Sequence, residues 1–192
     1  MAQLILASAS PRRLQLLEQV SLRPGSVIPA DIDETPLKNE LPAAYAKRIA
    51  LGKAEKIAAT EKHAYILAAD TVVACGRRIL PKAEDEATAA KCLDLLSGKR
   101  HRVLGGIAVI APDGKTSVKL VTTIVKFKNL SAAEKQAYLA TGDWEGKAGG
   151  YAIQGPAAAF IPFISGSYTN VVGLSLPETC QMLHGLGYHA GE

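Results

Sequence analysis

Residues 64–75, AYILAADTVVAC, form an apolar, β-branched run with a single charge, Asp70, in its interior. The run reads as a strand. Burying a carboxylate in such a strand is expensive unless it is paired or bound to a metal. Asp70 is therefore either a structural hydrogen-bonding hub or a catalytic group.

Strands and helices alternate on both sides of this run. QLILA (3–7) is a strand candidate. Ser10 can cap the helix that follows, with Pro11 at its first position, and that helix runs to about Gln19. LRPGSVIP (22–29) reads as a strand interrupted by a turn, ADIDETP (30–36) as an acidic loop, and residues 42–60 as a long helix. GRRI (76–79) turns the chain. A helix is predicted from near Glu84 to Gly98. Residues 101–127 read as a β-hairpin around Pro112-Asp113-Gly114. A capped helix at 131–141, a glycine-rich loop at 142–160, a short strand within 160–168 and a closing helix at 177–188 complete the chain. The pattern is α/β, with the hairpin making the sheet mixed and helices flanking it. Neither repeats nor a linker divide residues 1–192, which read as a single domain.

Composition narrows the function classes. A net charge of +4 is mild, and the densest basic cluster, GKRHRV (98–103), is too short for a nucleic-acid-binding stripe. No stretch approaches the roughly 20 apolar residues of a membrane span. MAQLILASAS has neither the basic start nor the long apolar stretch of a signal peptide. Cys75, Cys92 and Cys180 form no C-x-x-C pair, which suits reduced thiols in the cytoplasm. The four histidines are scattered, so zinc is not expected. P-loop, G-x-G-x-x-G and G-x-S-x-G fingerprints are absent.

Several side chains stand out beside Asp70. Leu41, Tyr45, Ile49, Lys53 and Ile57 recur every four residues, so Lys53 shares an apolar helix side. It either snorkels along the core edge or aims into a cleft. Glu34 is either part of a solvated acidic turn or an oxygen ligand that joins Asp70 around Mg²⁺. Lys82, by itself, reads as a surface residue. Gln154, between apolar residues and a glycine, reads more simply as an amide satisfying the backbone. The segment SASPRR places Ser8, Ser10, Arg12 and Arg13 around the first helix start. Arginines there oppose the helix dipole unless an anion occupies the helix N-terminus. Together these cations and acids fit metal-assisted phosphoryl chemistry.

In order, LILASASPRR, DET, GKA, AADTVV, LPKAED, LSGKRHRV, GKAGGYAIQG and GSYTNVVGLSLPET resemble successive blocks of the Maf family of nucleoside triphosphate pyrophosphatases. The GYAIQG and GSYTNVVGL forms resemble the branch acting on dTTP and UTP rather than that acting on 7-methyl-GTP. The resemblance implies two lobes around a central cleft, as in the inosine triphosphate pyrophosphatase-like fold. It also implies a divalent metal (Mg²⁺ or Mn²⁺), a cytoplasmic location and a homodimer. By this resemblance Asp70 is the proton acceptor, and Arg12, Thr71 and Gln154 set specificity. Ser8, Arg13, Lys53 and Lys82 bind phosphate, and Glu34 and Asp70 serve the metal. The family's old septum-inhibitor naming leaves a second reading, a nucleotide-binding regulator of cell division without turnover. Pro81-Lys82-Ala83 departs from the family's usual Gly-Lys-Pro, and Gly105 or Gly106 stands where a threonine is common.

Overall fold

The computed structural model describes residues 2–189. Leu4–Leu6 form β1, fully buried, and lead into α1 (Pro11–Gln19). Ser26–Val27 (β2) precede α2 (Pro42–Ala58), and the Asp70 run forms β3 (Tyr65–Cys75). Then come β4 (Arg78–Leu80), β5 (Lys82–Ala83), α3 (Glu86–Leu96) and the long hairpin β6 (Arg100–Ile110) and β7 (Thr116–Lys126). The C-terminal part holds α4 (Ala132–Leu139), β8 (Lys147–Ala148), a 3₁₀ turn (Pro156–Phe160), β9 (Phe163–Ser165), α5 (Tyr168–Val172) and α6 (Leu176–Gly185).

Seven strands make one mixed sheet in the order β2-β1-β3-β6-β7-β9, with β4 also on β3; β5 and β8 form a separate two-stranded sheet. β1 runs parallel to β2 and β3, and the other pairings are antiparallel. One edge of β3 is covered by β6, with Asp70 directly opposite Gly106. The other edge is shared: β1 pairs with Tyr65–Leu67 and β4 with Val73–Cys75. Residues 68–72 between them have no strand on that edge, so the sheet is split where Asp70 and Thr71 lie. Ligand sites in such sheets lie at the carboxyl ends of strands, where chains diverge.

Helix α2 covers one face of the sheet. Its Ala46, Ile49, Ala50 and Ala54 are wholly buried and meet small residues such as Ala68 and Ala108 on the strands. The opposite face carries the larger core, where Leu4, Leu6, Leu16, Leu17, Leu93 and Phe127 are buried together. Among the described residues no helix is long and apolar enough to cross a membrane.

The main differences from the sequence reading are local. The strand expected at 22–29 is only Ser26–Val27: Gly25 N–H still donates to Leu4 O at 2.8 Å, but Pro24 before it has no N–H to extend the ladder. The GRRI segment does turn the chain, through Gly76 at φ 61 and Arg77, and its second half joins Leu80 in a strand that returns along β3. Helix α3 begins at Glu86, because the Asp85 side chain accepts the Thr88 N–H as its cap. Ser10 sits at the N-cap of α1 but makes no side-chain cap; the Ser8 hydroxyl instead accepts the Ser10 N–H. Leu41 does not share the buried side of α2: it is the N-cap residue and 47% exposed.

Candidate active site

The split in the sheet opens into a cavity of about 370 Å³. The loop leaving β1 brings in Ser8 and the first turn of α1 brings in Arg12 and Arg13; β3 supplies Asp70 and Thr71; α2 supplies Lys53. Glu34 enters from the loop before α2, and Lys82 from β5.

Lys53 is the hub. Its Nζ lies 2.9 Å from Asp70 Oδ1 and 2.7 Å from Glu34 Oε1. Lys82 Nζ lies 2.8 Å from Glu34 Oε2, so the four side chains form a chain of alternating charge. The Lys53 and Asp70 side chains are only 9% and 7% exposed, so each neutralises a charge that would otherwise be stranded in the core. Burial opposes the ionised form of Glu34, but hydrogen bonds and charges from Lys53 and Lys82 outweigh it and hold the carboxyl near pKa 2. Asp70 Oδ2 accepts no hydrogen bond from the described residues, which leaves it available to water or a ligand.

Arg13 is buried, and the hydrogen bonds it makes go to neutral acceptors. Nε donates to Gly173 O at 2.9 Å, Nη1 to Ser8 Oγ at 2.9 Å and Nη2 to Thr71 Oγ1 at 3.1 Å. Burial lowers its pKa, and the charge of Asp70 partly offsets this. Among the described residues no carboxylate pairs with it, so its charge is presented to the cavity. Arg12 Nε donates to Val172 O at 3.3 Å. Both arginines are thus aimed by the C-terminal carbonyls of α5. That helix is pinned in turn by buried Asn170, whose amide donates to Val103 O, Val121 O and Thr123 Oγ1.

Tyr45 holds the Glu34 loop, donating its hydroxyl to Glu34 O at 2.8 Å. Burial, with the charges of Asp70 and Glu34, pushes this hydroxyl up to about 12, so it stays a donor. A second cavity of about 440 Å³, walled partly by Tyr45, Ile79 and Leu80, lies against the same Glu34, Asp70 and Lys82. The charged chain therefore stands between two chambers, one rich in cations and one more apolar.

With this arrangement in view, the comparison with known proteins is direct. The family described as Maf-like protein matches residues 3–186. The chain belongs to the Maf family. It is 64% identical over 188 residues to a dTTP/UTP pyrophosphatase of Paramagnetospirillum magneticum, covering 98% of this chain and 99% of that one. A dTTP/UTP pyrophosphatase of Caulobacter vibrioides is 60% identical over 185 residues, covering 96% of each. Among solved structures, the Staphylococcus aureus Ham1 protein matches with a TM-score of 0.48 and 20% identity, over 65% of this chain and 71% of that one.

In this Maf chain every candidate residue but one meets at the cation-rich cavity. Gln154 is exposed and lines a separate small depression with Arg12, Tyr151 and Val172. Its amide is therefore not absorbed by the backbone, contrary to the simpler sequence reading. Lys82 is not merely a surface lysine, since it reaches Glu34 despite its Pro81 and Ala83 neighbours. Three contributors went unnoticed in the sequence. The carbonyls of Val172 and Gly173 carry no side-chain signal. Tyr151 walls both the cavity and the depression, and buried His101 holds its hydroxyl at 2.7 Å. Lys147 also lines the cavity, and only its cationic side chain between glycines in EGKAGG could have marked it.

Proposed function

We propose that this Maf protein hydrolyses nucleoside triphosphates, dTTP and UTP foremost, to the monophosphate and pyrophosphate. The observation that carries the reading is the Asp70–Lys53–Glu34–Lys82 chain, buried at its Asp70–Lys53 end, facing an Arg13 that among the described residues has no carboxylate partner. Names of relatives at more than half identity over nearly the full length support the same substrates.

Arg13, Lys53 and Lys82 take the triphosphate oxygens, with Ser8 and Thr71 holding the Arg13 fork in place. Arg12 and Gln154 face the base. Thr71 Oγ1 is already engaged with Arg13 and Gly173 O, so its part in specificity acts through Arg13. Asp70 Oδ2 orients a water and accepts its proton as the oxygen attacks the α-phosphorus. Little covalent work falls to the protein; positioning and charge neutralisation carry the rate.

The donor set fits a hard divalent cation such as Mg²⁺ or Mn²⁺. Among the described residues no three acidic, histidine or cysteine side chains cluster as a cage, but Glu34 and Asp70 present two carboxylates. Mg²⁺ typically takes one or two carboxylates and fills its shell with water and substrate phosphate. Glu34 and Asp70 would hold it, and it would supply charge neutralisation at the phosphate oxygens.

The test is a panel of nucleoside triphosphates with Mg²⁺, products separated as monophosphate plus pyrophosphate or diphosphate plus phosphate. Turnover of dTTP and UTP to the first pair is expected. Binding without turnover of any triphosphate would favour the regulator reading and overturn this one.

A further inference from the structure

Gly106 lies on β6 directly opposite Asp70, so any side chain there would project from the same face of the sheet as the Asp70 carboxylate. That face is covered by α2. A Cβ added at Gly106 would come within 2.0 Å of Ala46 O and 2.6 Å of Ala46 C, both backbone atoms of the helix. The glycine is not there for its backbone freedom, because its φ lies outside the left-handed region. Its requirement is steric. The rest of the contact is made by small residues: Ala50 and Ala54 of α2 share a cluster with Ala68 and Ala108 of the strands, all wholly buried. Lys53 stands two helical turns beyond Ala46 on the same side of α2. Its 2.9 Å contact to Asp70 and 2.7 Å contact to Glu34 are therefore set by how deeply the helix sits.

We propose that Gly106 is a positioning residue of the site: its missing side chain seats α2 against β6, and that seating places Lys53 between Asp70 and Glu34. The expected effect on turnover rests on the hydrolase reading above; the expected effect on stability does not.

Four proteins test it: wild type, Gly106→Ala, Lys53→Met and the double variant. Seating predicts that Gly106→Ala lowers kcat for dTTP at least tenfold in the wild-type background and less than twofold in the Lys53→Met background. Lys53→Arg, a longer side chain, should lose less activity when combined with Gly106→Ala than alone. Val125→Ala, buried on β7 and outside the cavity lining, should lower stability without this pattern. Urea unfolding of the same four proteins should give non-additive losses, since a displaced helix has already loosened the pair that Lys53→Met removes. If Gly106→Ala does not fold, Ala50→Val crowds the same contact and is measured identically. Equal losses of kcat in both backgrounds, or additive losses of stability, would overturn the proposal. A wild type that turns over no triphosphate would overturn the hydrolase reading instead, and the unfolding cycle would then decide the seating.

Discussion

Arg13 shows how much of this site depends on one side chain's shape. Its three hydrogen bonds go to two hydroxyls and a carbonyl in a planar fork that an ammonium cannot reproduce. Arg13→Lys is expected to lower kcat/KM for dTTP by roughly 100-fold, or about 3 kcal/mol, with the fold intact. Steady-state kinetics beside a circular-dichroism spectrum check it. Glu34, held near pKa 2, stays ionised through the neutral range, so its contribution to stability is present above pH 4.5 and fades only as pH falls toward 2. His101 loses stability on acidification too, but over a higher pH range and because of burial rather than pairing. Burial lowers its pKa from 6.5 to about 4, and its Nδ1 has no acceptor for a second proton. Between those values the unfolded chain binds a proton that the folded one refuses, so stability falls as pH drops from 6.5 to 4. The loss should be on the order of 3 kcal/mol, and His101→Gln should flatten it in urea titrations.

Among the elements, those with periodic apolar patterns were legible beforehand and those defined by partners were not. The long helix, the Asp70 strand and the β6–β7 hairpin each announce themselves through spacing, and a lysine or aspartate inside such spacing marks a site. Strands β5 and β8, two residues each, exist only because they pair with each other. The carbonyls of α5 act through the backbone, which sequence does not distinguish. The packing demand at Gly106 depends on Ala46 of α2, about sixty residues earlier in the chain. Gln154 lines a depression that shares Arg12, Tyr151 and Val172 with the cation-rich cavity, and the 3₁₀ turn at Pro156–Phe160 after it is hidden in the glycine-rich reading. Caps separate stability from function at this scale. Asp85→Ala removes the α3 cap and should destabilise by about 1 kcal/mol, lowering Tm by a few degrees. Because Asp85 lines neither of the two cavities at the site, kcat/KM for dTTP should be unchanged, as calorimetry and kinetics together would report.

For the whole molecule, the organising fact is a sheet split at its central strand. β1 and β4 each cover part of one edge of β3, and the uncovered part carries the carboxylate. Five cations (Arg12, Arg13, Lys53, Lys82 and Lys147) line the resulting cavity against two carboxylates, Glu34 and Asp70. A mildly charged protein thus concentrates a positive excess where a triphosphate would lie. The central claim is that Asp70 drives a water onto the α-phosphorus within that cavity. Hydrolysis of dTTP in isotopically labelled water tests it most directly, with Asp70→Asn run alongside. The account predicts the water oxygen in the monophosphate, and at least 100-fold slower release from the folded Asp70→Asn variant. Label in the pyrophosphate, or an Asp70→Asn variant as fast as wild type, would contradict it.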